Sequence, residues 1–316
     1  MSCSNNLKQM GLALHNYHDT NQIFPPGKIQ EGGLGVQSRS NWAIMILPQM
    51  EGINIFNQYN QNATNEDASN KAVRELIIKE YSCPSDPQAR KLEKPESGPG
   101  SGIDYRHGSY RCVAGRADPG KTGFWDNSEA KNAPQTWKGA LHWVGQDGTY
   151  SQSPETMASI VDGTSNTLMV GEYTTNTTTR RGTFWAYSYA SYNSSEVMDQ
   201  ARTLLADYDK CNAIGGTGGS NACKRAFGSM HSGGTQFALC DGSVRFVPLT
   251  INLTVYAALA LSPMAKWRRC HKAAVCGCFP WFPLSRDHDG DGKVWVDTVE
   301  HGRRCASGQR WLRLRL

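Results

Sequence analysis

No run of apolar residues in this 316-residue chain approaches the ~18 needed for a helix to cross a bilayer. No stretch of it is therefore fit to span a membrane as a helix. Enzyme fingerprints are missing as well. There is no Gly-x-Ser-x-Gly, no His-Glu-x-x-His and no dinucleotide-binding glycine pattern, and Gly215 to Gly219 lacks the Lys-Ser/Thr of a phosphate loop. Familiar acyl-transfer, zinc-hydrolase and nucleotide chemistries thus have no local signature. An excess of either charge is missing from most of the chain too. Lys and Arg number 33 against 28 Asp and Glu; residues 262–316 hold 11 and 5 of these, which leaves 22 against 23 for residues 1–261. A near-neutral body lacks the basic face that nucleic-acid binding needs, so no such partner is expected.

Cysteine is present at an intermediate level. Ten are many for a reducing compartment and few for a disulfide-dense scaffold. Six lie before residue 262: Cys3, Cys83, Cys112, Cys211, Cys223 and Cys240. Cys211 and Cys223 bracket a Gly-rich loop with little structure of its own and are the expected disulfide pair; free buried thiols are the alternative. Thirty-two glycines and a 39% apolar fraction describe a loop-rich globular chain, long enough for one large or two ordinary domains.

Leu7, Met10, Gly11, Leu14 and Tyr17 recur at helical spacing, which predicts an amphipathic helix over residues 1–20 that stops before Pro25-Pro26. The apolar run at 42–47, followed by Ile53, Ile55, Phe56 and Tyr59, reads as a buried segment turning into a short helix. Val73, Leu76, Ile77 and Tyr81 predict another helix over 70–81. From 95 to 155, Gly, Ser, Pro and polar residues favour short strands and long surface loops. Residues 167–172 and 183–189 read as strands. Two apolar runs then flank Asp241-Gly242, the dipeptide that supplies two positive φ angles to a tight hairpin turn. A helix laid on an antiparallel sheet, with long Gly/Pro-rich loops, is an α+β fold.

His231 precedes Asp241 by ten positions. This spacing resembles the prepilin-type, processing-associated "His, nine residues, Asp-Gly" motif of the pseudopilin-like family known as domain of unknown function 1559. Cys3-Ser-Asn-Asn-Leu-Lys-Gln9, with Phe24-Pro-Pro-Gly27, resembles the segment that in this family follows the membrane-spanning pilin helix. Residues 42–51, Cys83-Pro-Ser-Asp-Pro87 and Asp162-Gly-Thr-Ser-Asn-Thr-Leu-Met-Val-Gly-Glu172 match in order, and 251–260 resembles the closing helix. The resemblance implies a pilin-like N-terminal helix packed on the sheet. It also implies a full-length form anchored in the inner membrane of the cell envelope, cleaved by a prepilin peptidase, with its head outside the cytoplasm. Met1 is accordingly expected to be an internal methionine taken as a start, with the leader and membrane helix preceding it, or else the gene is expected to have lost its 5′ end. The implied partners are a type II secretion or type IV pilus-like machinery, and the implied role is non-enzymatic. The alternative is a secreted or surface-bound module that binds carbohydrate through exposed Trp125, Trp137, Trp143 and Trp185.

His231, Gly233, Gly234, Asp241 and Gly242 are read as structural. At the start of the hairpin the His231 imidazole can bond turn carbonyls, and the Asp241 carboxylate can accept turn N–H groups. Catalytic readings would set His231 against Asp241, His107 against Asp104, or use His142 beside Trp143; none is preferred, and no cofactor is expected.

Beyond Leu261 the resemblance stops. Residues 262–316 carry four of the nine tryptophans and four of the ten cysteines and are expected to be a frameshifted or disordered run-on. One possible coding of Pro263-Met-Ala-Lys-Trp-Arg-Arg269, shifted by one base, reads Asp-Gly-Glu-Val-Ala-Ser, close to the family's ending. Asp287, Asp289, Asp291, Gly292 and Val294 match the opening of an EF-hand calcium loop, but its last ligand position falls on Thr298, so calcium is the lesser reading. Cys270, His271, Cys276 and Cys278 are potential zinc donors without a compact second pair.

Overall fold

Helix α1 (Ser2–Asn21) buries Cys3, Leu7, Met10, Gly11, Ala13 and Leu14, the stripe that a 3.6-residue repeat produces. Each large apolar side chain so buried contributes roughly 1.5–3 kcal/mol. The helix ends where Gln22 takes a left-handed φ of 63° and its amide reaches the His18 carbonyl at 2.6 Å. Pro25 and Pro26 then forbid its continuation. This computed structural model describes residues 2–30, 38–120, 123–145, 152–261, 285–288 and 294–297. The chain divides into two units, Met1–Ala265 and Lys266–Leu316.

The first unit is α+β. Its main sheet contains β1 (Tyr110–Arg116), β2 (Leu168–Glu172), β3 (Ser194–Val197), β4 (Gly234–Leu239) and β5 (Val244–Pro248), in the order β5-β4-β2-β1-β3. Neighbours are antiparallel except β1 and β3, which are parallel. Side chains alternate across β4. Ala238 and the following Cys240 join the core under α1, while Phe237 and Leu239 pack with Tyr256 and Ala257 of the closing helix Leu253–Leu259. The sheet is thus covered on both faces. Among the described residues no helix is long and apolar enough to cross a membrane.

Four expectations need correction. The predicted helix over 70–81 is reduced to one turn at Lys71–Arg74 and a 3-10 turn at Lys79–Tyr81. Side chains from elsewhere take the carbonyls between them: Arg106 Nε donates to Glu75 at 2.8 Å and Trp185 Nε1 to Leu76 at 3.1 Å. The strand expected over 183–189 shrinks to Thr183–Phe184, because the residues after it turn into the core instead of pairing. The tryptophans meant to be exposed are not. Trp125, Trp143 and Trp185 are at most 2% accessible, and half-buried Trp137 lies under the Arg116 guanidinium, 4.6 Å from its ring centre.

The hairpin also closes differently. Gly242 takes a φ of 78°, and Asp241 keeps a negative one. The Gly242 amide donates to Leu239 at 2.9 Å and the Leu239 amide to Ser243 at 2.8 Å, a three-residue loop with glycine at its left-handed position. The longer loop lets Cys240 remain in the core under α1.

In the second unit Ser285–His288 pairs antiparallel with Val294–Asp297, and Asp287 stands opposite Trp295. A strand occupies the place where an EF-hand needs a helix running into its loop. Asp289, Asp291, Cys270, His271, Cys276 and Cys278 lie outside the described residues.

Candidate functional site

The segment Cys83-Pro-Ser-Asp-Pro87 folds as a turn in which the Asp86 amide donates to the Cys83 carbonyl at 3.0 Å. The Asp86 carboxylate then accepts the hydroxyls of Ser109 at 2.7 Å and Thr174 at 2.6 Å, and Ser109 Oγ in turn accepts the Cys83 amide at 3.0 Å. Cys83 is thereby pinned between the start of β1 and the end of β2. Cys3, in the first turn of α1, is joined to it by a disulfide. Beside this bridge the Tyr110 hydroxyl donates to the Cys3 carbonyl at 3.3 Å, and Asn6 Nδ2 donates to Ser82 at 3.0 Å.

Glu172 closes β2 and is buried. Its Oε2 accepts the Gln236 amide of β4 at 2.9 Å, which leaves Oε1 directed at His231 Nε2, 3.2 Å away. Burial pushes the Glu172 carboxyl above the ordinary carboxylate range, against the opposing pull of the Gln236 amide, His231 and Ser229. The His231 side chain is 23% exposed and its backbone amide is held by Ser229 Oγ at 3.1 Å. Cys83 Sγ lies 3.7 Å from His231 Nε2 and 3.8 Å from Glu172 Oε1. A shallow groove lined by Ser4, Asn5, Lys8, Gln236, Val244 and Phe246 runs alongside.

His231 and Asp241 do not form a common site. They stand at opposite ends of β4, and His231 bonds a carboxylate instead of turn carbonyls because the end of β2 brings Glu172 to it. Asp241 accepts the Ser243 amide at 2.9 Å and the Ser243 hydroxyl at 2.6 Å, which stabilises the turn. Gly233 has a φ of 85°, and a Cβ on Gly234 would come within 2.3 Å of the Val247 carbonyl oxygen. Cys211 and Cys223 are joined as a second disulfide. Cys112 and Cys240 are buried and take part in neither bridge.

The convergence of Cys3, Cys83, Glu172 and His231 was missed by sequence reasoning, although a signal was present. Each closes or opens a different one of the quoted islands. A family model described as "Protein of unknown function (DUF1559)" matches residues 1–254. The chain belongs to that family. All four converging residues of this DUF1559 protein fall inside the matched span. No curated protein and no solved structure matches the chain.

Two other histidines of this DUF1559 chain are likewise set against a glutamate. His107 Nε2 lies 3.0 Å from Glu93, and His142 Nε2 lies 3.3 Å from Glu155. Lys138 completes the second group at 2.5 Å from Glu155. Burial alone would raise the Glu155 carboxyl, but hydrogen bonds from His142, Lys138 and Ser159 outweigh it and hold it at about 2. Both rings are buried, whereas His231 alone of the three opens to solvent. That ring, a buried carboxylate and a disulfide form one polar centre where α1 meets the sheet.

Proposed function

We propose that this chain is the extracytoplasmic head of a pseudopilin-like envelope protein, working by assembly with a type II secretion or type IV pilus-like machinery and not by catalysis. The observation that carries this reading is the pair of disulfides, Cys3–Cys83 and Cys211–Cys223. Such bonds persist in oxidising compartments and are rare in the cytoplasm. Helix α1 lying across a largely antiparallel sheet supports it, since the family wording of residues 3–9 belongs to a segment that continues a membrane helix. The first bridge would then fasten that segment to the head, and a prepilin peptidase would act upstream of it. A carbohydrate-binding module loses its support, because the tryptophans it would stack sugars on are core residues or, for Trp137, covered by Arg116.

The test uses spheroplasts carrying the full-length gene. External protease is expected to digest the head, its bridged cysteines should resist alkylation until reduced, and cross-linking should recover secretion or pilus components. A head protected from protease, with all its thiols alkylated without reduction, would sink the proposal.

A further inference from the structure

Two thiolates, an imidazole and a carboxylate are donor types that zinc takes, with bonds of about 2.3 Å to sulfur and 2.0–2.2 Å to nitrogen and oxygen. In a tetrahedron of such bonds the donors stand roughly 3.3–3.8 Å from one another. His231 Nε2 is 3.2 Å from Glu172 Oε1, and Cys83 Sγ is 3.7 Å and 3.8 Å from those two atoms. Three edges of the tetrahedron therefore have about the required length. Cys3 Sγ completes the set, all four donor atoms lying within 4.8 Å of one another. We propose that Cys3, Cys83, Glu172 and His231 form a zinc site when the Cys3–Cys83 disulfide is reduced, so that bridge and metal are alternative fastenings of α1 to the sheet.

The surroundings suit a metal better than a bridge alone. A disulfide needs neither an imidazole nor a carboxylate, yet both direct a donor at Cys83 from separate elements. The donors are also oriented from behind, as ligands in metal sites are. Gln236 holds Glu172 Oε2 and leaves Oε1 toward the cluster, and Ser109 Oγ holds the Cys83 amide. Sulfur donors favour zinc over calcium or magnesium. His231, partly exposed, gives the ion a route from solvent.

The exchange balances. An external dithiol gives two electrons and two protons to the Cys3–Cys83 bond, becoming a disulfide itself and leaving two thiols. Zinc then displaces both thiol protons to solvent, and the two thiolates with the Glu172 carboxylate set three negative charges around the ion's two positive ones. A disulfide-bearing oxidant reverses the sequence, taking back two electrons as the ion leaves.

The experiment uses the intact chain, reduced anaerobically with a phosphine that carries no thiol. Bound zinc is counted after gel filtration, and cobalt(II) reports thiolate ligation by its charge-transfer absorption. Other cysteines are reduced as well, so the difference from Cys3→Ser/Cys83→Ser decides: the parent should hold one more zinc per chain. His231→Gln keeps both thiols and the oxidised bridge, and it should weaken zinc binding at least tenfold and alter the cobalt spectrum. It also keeps the test decisive if the double variant does not fold. Equal zinc counts in parent and double variant, or a His231→Gln protein with unchanged affinity and spectrum, would overturn the proposal. So would a reduced parent that melts at the same temperature with and without zinc.

Discussion

Gly242 holds a positive φ of 78° at the tip of the hairpin, and a Cβ there would stand 3.4 Å from the His15 ring. Opposite it, a Cβ on Gly11 would lie 3.3 Å from the Gly242 Cα, so helix and turn meet at two glycines. A β-branched side chain is strained at such an angle. Gly242→Val is expected to cost about 1–3 kcal/mol, read as a lower denaturation midpoint with unchanged slope. At Glu155 the effect depends on pH. Its carboxyl titrates near 4.5 when unfolded and at about 2 in the folded chain. The stability it contributes is fully present above about pH 4.5 and is lost as pH falls toward about 2. Glu155→Gln should therefore be less stable than the parent at pH 6 and should converge with it at the acid end. Melting curves across that range check the sign; parallel curves would refute it.

At the scale of elements, the sequence was readable where one face decides the outcome. The repeat of Leu7, Met10 and Leu14 specified α1 because these residues meet one continuous sheet face. Residues 167–172 and the flanks of Asp241-Gly242 were readable as strands for the same reason, as they line a two-sided core. Residues 70–81 carry an equally regular pattern but misled, because Arg106 and Trp185 supply the hydrogen bonds that a continuing helix would have made. Leu76 and Ile77 are consequently exposed, at 36% and 51%. The candidate site was half legible. His231 stood out by its spacing from Asp241, yet its partners come from 59 residues upstream at Glu172 and 148 upstream at Cys83. Local spacing cannot encode a meeting of that kind. The Cys211–Cys223 pairing was readable because its loop is only 12 residues apart in sequence, whereas Cys3 and Cys83 gave no local cue.

For the whole molecule the two bridges should have unequal weight. Cys3–Cys83 joins positions 80 apart and Cys211–Cys223 joins positions 12 apart. Cross-linking removes conformational freedom from the unfolded chain, and the loss grows with the logarithm of the enclosed length. On that basis the longer loop contributes about 4–5 kcal/mol and the shorter about 3. Their places in the fold act in the same direction. The short bridge links the neighbouring helices Tyr208–Ile214 and Ser220–Lys224, whereas the long one holds α1 against the sheet whose core its apolar face completes. Cys3→Ala/Cys83→Ala should therefore lower the melting temperature more than Cys211→Ala/Cys223→Ala. It should also raise amide hydrogen exchange along α1 before the rest of the sheet opens, because the helix would then be held only by non-covalent contacts, chiefly the packing of Leu7, Met10 and Leu14 and the hydrogen bonds at Asn6 and Cys3. A larger loss from the short bridge, or exchange in α1 that stays at the parent's rate, would mean that packing and not the bridge fastens the helix.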